Sequence, residues 1–409
     1  MFARSDRSGL AQWWFTIDRP LLTAVLALIA AGVVFSLAAG PTVADKKGYA
    51  TFTFVERHAL HACAGVLIVV AASFCAPRTI RRTALVLGVV MLGLLTWLAV
   101  GGPEINGARR WLRVAGWSLQ PSEFMKPAFV VLVAWALVAH QRTGRHAILA
   151  IPIGLTGVVV ALLLAQPDVG QTLLLVLLFG VVFFAAGYAL VWPLAAGVAG
   201  LGLAGGAYAL LPHVRRRIDS FLLAGENDSY QVDRAVQSFV EGGWFGRGPG
   251  EGVIKSVLPD AHTDFVLAVI AEEYGILVCL VLLGLYGVVA ARAVTRIWRT
   301  ENRFARTAAA GLLALLVMQV FANMGVNTGL LPAKGTTLPF ISYGGSALTA
   351  AALAMGMLVA FTRRSVDWLS PDAVASSEVS DTATGYTRRG RYADQAEEPR
   401  DAAVAGAAE

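Results

Sequence analysis

The chain has 409 residues, of which 56% are hydrophobic and only 15% are charged. This composition excludes an ordinary soluble protein and indicates a polytopic membrane protein, because the charges lie in loops between long apolar runs. The net charge of +6 gives no reason to expect a nucleic-acid partner, and the three cysteines, without C-x-x-C spacing, argue against a disulfide framework or a zinc site.

The apolar runs predict an all-α integral membrane protein with about ten transmembrane helices, since a bilayer core requires roughly 20 apolar residues per helix. The N-terminal segment 1–19 carries arginines and no small-residue cleavage site, so we expect it to stay in the cytoplasm. The spans are predicted at 20–39, 55–76, 83–101, 122–139, 148–165, 170–188, 192–211, 264–291, 306–329 and 345–362. Together they define a membrane domain at 20–362.

Loop charges predict the orientation of these spans. Arginines recur in alternate loops, which places those loops and both termini in the cytoplasm by the positive-inside rule. The large extracytoplasmic loop, 212–263, then lies between the seventh and eighth spans. The tail at 363–409 has almost no large apolar residues and is predicted to be a disordered cytoplasmic segment.

Several cations lie on the face where the positive-inside rule disfavours them. Arg109, Arg110 and Arg113 share one short outer loop, three arginines occupy 215–217, and Lys334 lies in the last outer loop. They are either solvated loop charges or a cationic site for an anionic substrate such as a lipid-linked pyrophosphate. The second interpretation fits the three groups together better than the first.

Other polar residues near the membrane boundary allow structural and functional interpretations. Lys126, three residues after Glu123 in the fourth span, forms either an ion pair on one helix face or part of a binding site. Trp111 is either an interfacial anchor or a flat surface for a sugar ring. Asp168 fits a helix N-cap. The Pro- and Gly-rich turn at 331–346 is too polar for a span and is expected to line a cavity.

The sequence LPDAHTDFVLAVIAEEYG joins the large loop to the eighth span and carries five titratable residues. Carboxylates are costly at a membrane boundary, so Asp260, Asp264 and their neighbours need an explanation. His262 either tunes Asp264 or is solvated with the loop. Glu272 and Glu273 lie roughly 12–14 Å from Asp264 along a helix, too far to share its chemistry, and are expected to pair with another span.

These residues fall into motifs that occur together in one family. The motifs, in chain order, are NGARRW, QPSEFMK, QPDVG, GGWFGRGPG, LPDAHTDFVLAVIAEEYG and GLLPAKGTTLPFISYGGS. The chain therefore resembles the SEDS (shape, elongation, division and sporulation) proteins over nearly the whole of 20–362. The segment PAKGTTLPFISYGGSA is closer to the cell-division member of that family than to the elongation member.

The resemblance implies an activity and a setting. SEDS proteins are peptidoglycan glycosyltransferases that polymerise lipid II at the outer leaflet of the bacterial inner membrane, and a division member would work at the septum. They pair with a class B penicillin-binding transpeptidase, here one like FtsI, among other divisome membrane proteins. Asp264 matches the family's essential carboxylate, and Trp111 and Lys126 match its conserved tryptophan and lysine. Ser118 stands where some division members carry an arginine.

The resulting hypothesis is an inverting transfer in which Asp264 acts as general base on the acceptor hydroxyl. The expected substrate-binding residues are Trp111, Lys126, Arg109, Arg110, Glu123, His262, Lys334 and Ser342. No protein metal site and no cofactor is predicted, although Mg²⁺ or Mn²⁺ could share the neutralisation of the pyrophosphate. The alternatives are an elongation-type polymerase, a lipid II flippase with charged groups along a pathway, and a non-catalytic divisome scaffold.

Overall fold

The computed structural model describes residues 8–104, 109–114, 117–189, 225–331 and 335–364, with isolated positions between 191 and 209. Within these ranges the chain forms eleven α-helices, one 3-10 turn and one two-stranded hairpin. The helices are α1 (Gly9–Thr16), α2 (Arg19–Lys46), α3 (Thr53–Phe74), α4 (Pro77–Gly101), α5 (Pro121–Thr143), α6 (His146–Ala165), α7 (Val169–Ala185), α8 (Gly225–Gly242), α9 (Val266–Trp298), α10 (Arg303–Asn327) and α11 (Gly345–Phe361). The 3-10 turn is Ile254–Ser256, and the strands are β1 (Leu112–Val114) and β2 (Trp117–Leu119).

The all-helical membrane architecture predicted from the apolar runs is confirmed in its main features. In the described part of the chain, α2 to α6, α9 and α10 are long and apolar enough to cross a membrane, and α7 and α11 are shorter apolar helices. These nine helices coincide with nine of the predicted spans. The predicted seventh span, 192–211, lies almost wholly outside the described residues, as does the tail from 365 onward. The number of crossings and their orientation stay predictions.

Two units divide the chain. The described residues between 17 and 363 form one compact unit that contains α2 to α11. Helix α1 and Arg364 belong to the other, in which the backbone N–H of Arg364 donates to the carbonyl oxygen of Thr16 (3.1 Å).

Helix α5 lies at the centre of the larger unit. Nearly every side chain from Met125 to Val138 is buried, because α4, α6, α7, α10 and α11 surround the helix. A helix that is apolar on all sides is typical of such a core position. Gly311 of α10 allows close contact, since a Cβ there would lie 2.6 Å from side-chain atoms of Val130 and Val182.

A short hairpin interrupts the predicted loop between α4 and α5. Strands β1 and β2 pair antiparallel, with Arg113 opposite Ser118. The hydroxyl of Ser346, in the first turn of α11, accepts from the N–H of Gln120 (3.1 Å) and donates to the carbonyl oxygen of Ser118 (3.0 Å). The hairpin is therefore tied to α11 as well as to α5, a connection that the sequence did not indicate.

Helix α9 consists of two helices joined at Gly275, which has φ 83° and ψ 171°. The Gly-rich segment after α8 packs into this break: Ile276 N–H donates to Gly243 O (2.9 Å), and Gly248 N–H donates to Glu273 O (3.0 Å). A Cβ at Gly242, Gly246 or Gly275 would overlap backbone atoms of the opposing segment. Close backbone approach therefore explains why this loop is rich in glycine.

We expect Gly275→Ala to destabilise the protein severely. The substitution places a side chain in a backbone region that costs about 1–3 kcal/mol for a non-glycine residue, and its Cβ would also overlap the carbonyl of Trp244. Gly284→Ala is the matched control, because Gly284 lies in the same helix with no atom near its Cβ position. Thermal denaturation in detergent should show a large loss only for the first variant, and equal melting temperatures would contradict the tight docking described above.

Candidate active site

Asp264 lies in the turn directly before α9, outside the membrane-spanning segment. Two buried asparagines of α10 hold its backbone: Asn323 Nδ2 and Asn327 Nδ2 donate to the carbonyl oxygen of Asp264 at 2.8 and 2.9 Å. Asn327 Oδ1 also accepts from the N–H of Ala268 (3.1 Å), and Asn323 Nδ2 donates to the carbonyl of Thr336 (2.6 Å). The turn is thus fixed by side chains that leave the carboxylate of Asp264 free.

The surroundings of Asp264 favour its neutral form. Burial raises the pKa of this carboxyl group to about 7, and repulsion from the carboxylates of Asp260 and Glu123 adds to the rise. Asp264 as a whole residue is half-buried and not fully enclosed, so part of it remains open to a ligand. Gly335 lies beside it, since a Cβ there would be 3.6 Å from Asp264 Oδ2. Lys334, the preceding residue, lies outside the described residues, and its predicted role stays a prediction.

A buried polar cluster joins the starts of α5 and α7. Lys126 Nζ donates to Glu123 Oε1 (2.8 Å) and to Gln171 Oε1 (3.0 Å), and Gln171 Nε2 donates to Glu123 Oε1 (3.1 Å). All three side chains are more than 90% buried. The predicted ion pair between Glu123 and Lys126 is confirmed. Gln171 was not predicted, because a glutamine in an apolar run gives no signal of its partner.

Asp168 caps α7 as predicted. Its Oδ1 accepts from the N–H of Gln171 at 3.3 Å, and its Oδ2 lies 3.6 Å from Arg110 Nε. Arg110 also donates to the carbonyl oxygens of Gln166 (3.2 Å) and Pro167. Because these contacts leave about 30% of its side chain exposed, Arg110 connects the buried cluster to the surface.

Arg109 and Trp111 flank Arg110. Arg109 is half-buried, with 43% of its side chain exposed; one guanidinium nitrogen lies 3.4 Å from the carbonyl of Val100 and another 3.8 Å from a carboxylate oxygen of Glu104. Trp111 is half-buried directly before β1. Both remain available to a ligand, and their predicted binding roles stay predictions.

His262 and Ser342 connect the Asp264 turn to the segment before α11. The His262 ring is buried against Phe54 and Tyr343, with centroid distances of 5.1 and 5.5 Å, and its carbonyl accepts from Tyr343 N–H (2.9 Å). Burial and the nearby charge of Lys47 lower the pKa of His262 to about 4, so the ring is neutral near pH 7. The alternative of a solvated His262 is therefore wrong, whereas Asp260 is exposed. Ser342 Oγ accepts from Leu338 N–H at 2.8 Å. Whether His262 or Ser342 also contacts a substrate stays a prediction.

Glu272 and Glu273 have the structural role that was expected, but the predicted partner is wrong. Their contacts are to the large loop, which folds back onto α9, and not to another span. Glu272 Oε1 accepts from the N–H groups of Val253 (2.6 Å) and Ile254 (2.8 Å), and its Oε2 accepts from Lys255 N–H (3.2 Å). Glu273 forms a buried ion pair with Lys255. The buried carboxylates of Glu272 and Glu273 therefore hold the 253–255 part of the large loop on α9.

We expect Glu272→Gln to loosen this loop. An amide in place of the carboxylate removes the charge and turns one acceptor into a donor that faces an N–H group, a change worth about 1–3 kcal/mol. The conservative control is Glu251→Gln, because Glu251 is exposed on the same loop. Amide hydrogen exchange should rise in 250–258 for the first variant alone. Unchanged protection would show that Glu272 does not hold the loop.

The structure thus brings together part of the predicted site. The carboxylate of Glu123 is close enough to raise the pKa of Asp264, and Glu123 in turn binds Lys126. Within the described ranges, Arg110 joins this group through Asp168, while His262 and Ser342 form its structural support.

Comparison with known proteins identifies the family. The family model for FtsW, RodA and SpoVE, described as a cell cycle protein, matches residues 19–366. The chain belongs to the SEDS family. The probable peptidoglycan glycosyltransferase FtsW of Caulobacter vibrioides is 42% identical over 364 residues, which cover 89% of this chain and 93% of the relative. The corresponding FtsW of Geobacter metallireducens is 35% identical, with 85% and 95% covered.

Solved structures of SEDS proteins share the fold. One is a chain in a structure of a peptidoglycan synthase complex that coordinates polymerization and crosslinking. It matches this chain with a TM-score of 0.70 and 30% identity, and the match covers 85% of this chain and 98% of the other. The rod shape determining protein RodA of Thermus thermophilus has a TM-score of 0.61 and 28% identity, with 85% and 97% covered. Within the SEDS family, the sequence of the chain is FtsW-like.

Proposed function

We propose that this protein is a peptidoglycan glycosyltransferase of the FtsW type, which polymerises lipid II during septal wall synthesis. The observation that carries the proposal is the Asp264 turn: a half-buried aspartate on a backbone that two asparagines hold in place, where burial raises the pKa of the carboxyl group to about 7. A base titrating near neutral pH is suited to proton abstraction. The similarity to relatives named as FtsW glycosyltransferases supports the same conclusion.

In the proposed reaction, ionised Asp264 accepts the proton of the acceptor sugar hydroxyl. The hydroxyl oxygen forms a bond to the anomeric carbon of the donor, and the bond from that carbon to the lipid pyrophosphate breaks with inversion. The leaving group departs with its negative charge, which the partly exposed guanidinium groups of Arg109 and Arg110 are placed to offset. Trp111 is placed to pack against a sugar ring.

Lys126 has a different role in this scheme from the partly exposed arginines. Its ammonium group is buried and already donates to Glu123 and Gln171. We therefore infer that it organises the cluster beneath the substrate, in which Glu123 adds to the rise in the pKa of Asp264 that burial and Asp260 cause. In the part of the chain that the structure describes, no three His, Cys, Asp or Glu side chains form a metal site, and we derive no step through protein-bound Mg²⁺ or Mn²⁺.

The pH dependence of the rate follows from the pKa of Asp264. Because the base must be ionised, the polymerisation rate should be low below about pH 7, rise through that value and level off above it. Asp260→Asn removes one of the like charges that raise the pKa of Asp264, so the rise of the polymerisation rate with pH should occur at lower pH in this variant. Asparagine tolerates the positive φ of 49° at this position. If the rate of Asp260→Asn rises at the same pH as that of the native protein, the titrating group is not Asp264.

The cellular setting belongs to the same proposal. We infer a location in the bacterial inner membrane at the septum, with both termini cytoplasmic and the Asp264 turn facing outward. The expected partner is a class B penicillin-binding transpeptidase like FtsI, together with other divisome membrane proteins and the lipid II substrate. Polymer formation from lipid II by the purified protein with that partner tests the activity. Division is favoured over elongation by the similarity to FtsW proteins.

A further inference from the structure

Three large apolar side chains are exposed at the end of α8 and in the turn that follows. Val240 is 76% exposed, Trp244 is 61% exposed and Phe245 is 82% exposed. None of them contributes to the candidate active site. Adjacent exposed aromatic side chains on a glycine-rich turn are unfavourable in water and indicate a contact with something apolar.

The position of this turn relative to the bilayer follows from its backbone contacts. Ile276 N–H donates to Gly243 O (2.9 Å), and Leu277 N–H donates to Trp244 O (3.3 Å). The second half of α9 runs from Ile276 to Trp298, about 35 Å at 1.5 Å per residue, which is enough to cross a hydrocarbon core of about 30 Å. The turn therefore packs against the first residues of a membrane-spanning segment.

The far end of that segment marks the other membrane boundary. Arg292 and Arg296 lie there, and both bind the buried carboxylate of Asp18. Charged residues that pair in this way are typical of a helix end leaving the hydrocarbon region. Roughly 20 residues before Arg296 lies Ile276, so Trp244 and Phe245 are at the level of the opposite membrane–water interface.

The spanning half of α9 and the turn both expose apolar side chains. Leu280 and Val281 are 51% and 73% exposed on the spanning half, where the surrounding medium is lipid. Trp244 and Phe245 are also exposed, and their turn is bonded to the first residues of this spanning half. The flanking charges, Glu241 and Arg247, form an ion pair with each other and remain partly exposed. We propose that the turn 243–246 inserts Trp244 and Phe245 into the interfacial region of the bilayer as a membrane anchor.

The anchor would fix the height of the candidate catalytic turn, a consequence that rests on the proposed function. The same loop is held on α9 by Glu272 and by the ion pair of Lys255 with Glu273, and it leads directly to Asp264. The depth of Asp264 relative to lipid-linked substrates is then fixed by two elements, helix α9 and the anchored turn 243–246.

Site-directed spin labelling tests the insertion without any need for catalysis. In a variant with Cys63, Cys75 and Cys279 replaced by alanine, a nitroxide is attached at Phe245→Cys, and the protein is reconstituted into phosphatidylethanolamine–phosphatidylglycerol vesicles. Collision rates with oxygen and with a water-soluble nickel chelate are measured. Val281→Cys provides the lipid-facing reference and Glu251→Cys the water-facing one, since both positions are exposed.

The label at position 245 should resemble that at 281, with oxygen preferred over the nickel chelate. A label as accessible to nickel as that at 251 would overturn the proposal, and so would protection from both reagents, which would indicate that the label is buried against protein. Quenching by brominated lipids gives a second measurement in the protein with its native cysteines. Trp244→Phe should remove part of the quenched fluorescence, and an unchanged quenched fraction would contradict insertion.

Discussion

Replacing Asp264 by asparagine should lower glycan polymerisation by about 10²- to 10⁴-fold, the usual contribution of a general base. The fold should survive, because Asn323 and Asn327 bind the backbone carbonyl at 264 and not the side chain. The surroundings already favour the neutral carboxyl group, so a neutral side chain of the same shape should be at least as stable as the native one. Gel analysis of polymer from labelled lipid II, beside thermal denaturation, measures both quantities.

Asp260→Asn serves as the matched control for this variant. It removes a carboxylate from the same turn, but one that is exposed, so its maximal rate at alkaline pH should remain close to that of the native protein. An Asp264→Asn protein that polymerises normally would exclude Asp264 as the base. A variant that loses both activity and melting temperature would instead assign Asp264 a structural role.

Lys126→Met should destabilise the protein by about 3–5 kcal/mol, the usual cost of leaving a buried charge without its partner. The variant leaves the carboxylate of Glu123 with Gln171 as its remaining donor in this cluster. The double variant Glu123→Gln with Lys126→Met should recover most of the loss, since no uncompensated charge remains. Thermal denaturation of the single and double variants in detergent measures the coupling between the two residues.

The same variants separate structure from function in the cluster. If Glu123 and Lys126 organise the substrate site, the double variant should regain stability but polymerise lipid II poorly. Gln319→Met is a control for inserting methionine, because Gln319 is also a buried polar residue of the helical bundle. A Lys126→Met protein as stable as the native one would contradict the buried ion pair as an important contact.

The helices were the most predictable part of the fold. The predicted spans 122–139 and 306–329 correspond to Pro121–Thr143 and Arg303–Asn327. The predicted and observed helices agree because each crossing of a bilayer requires about 20 apolar residues and because charged residues lie at the ends of the crossing.

The break in α9 was not predictable in the same way. The span 264–291 was expected to be one helix, whereas the structure has two helices joined at Gly275. A glycine within an apolar run is compatible with a continuous membrane helix. The break becomes favourable only because the segment around Gly243 and Gly246 returns to bind the exposed backbone groups. Such a contact depends on tertiary packing that local sequence does not reveal.

The sequence predicted several residues of the candidate site, but it did not predict which residues they bind. Spacing alone could not separate Asp264 from Asp260, and the choice came from the resemblance to SEDS proteins. The structure adds a physical difference, since Asp264 is the more buried of the two. Asn323 and Gln171 were missed because their partners, Asp264 and Glu123, lie 59 and 48 residues away in the chain. Polar residues inside apolar spans are the signal that could have identified them.

A polymerase joins lipid II molecules, whereas a flippase only moves them across the membrane. The direct measurement uses the purified protein with its class B transpeptidase partner in vesicles that contain labelled lipid II. Glycan chains are expected from the native protein and at least about 10²-fold less polymer from Asp264→Asn, with equal folding of both. Movement of labelled lipid II between leaflets without polymer, and to the same extent in both proteins, would contradict a polymerase.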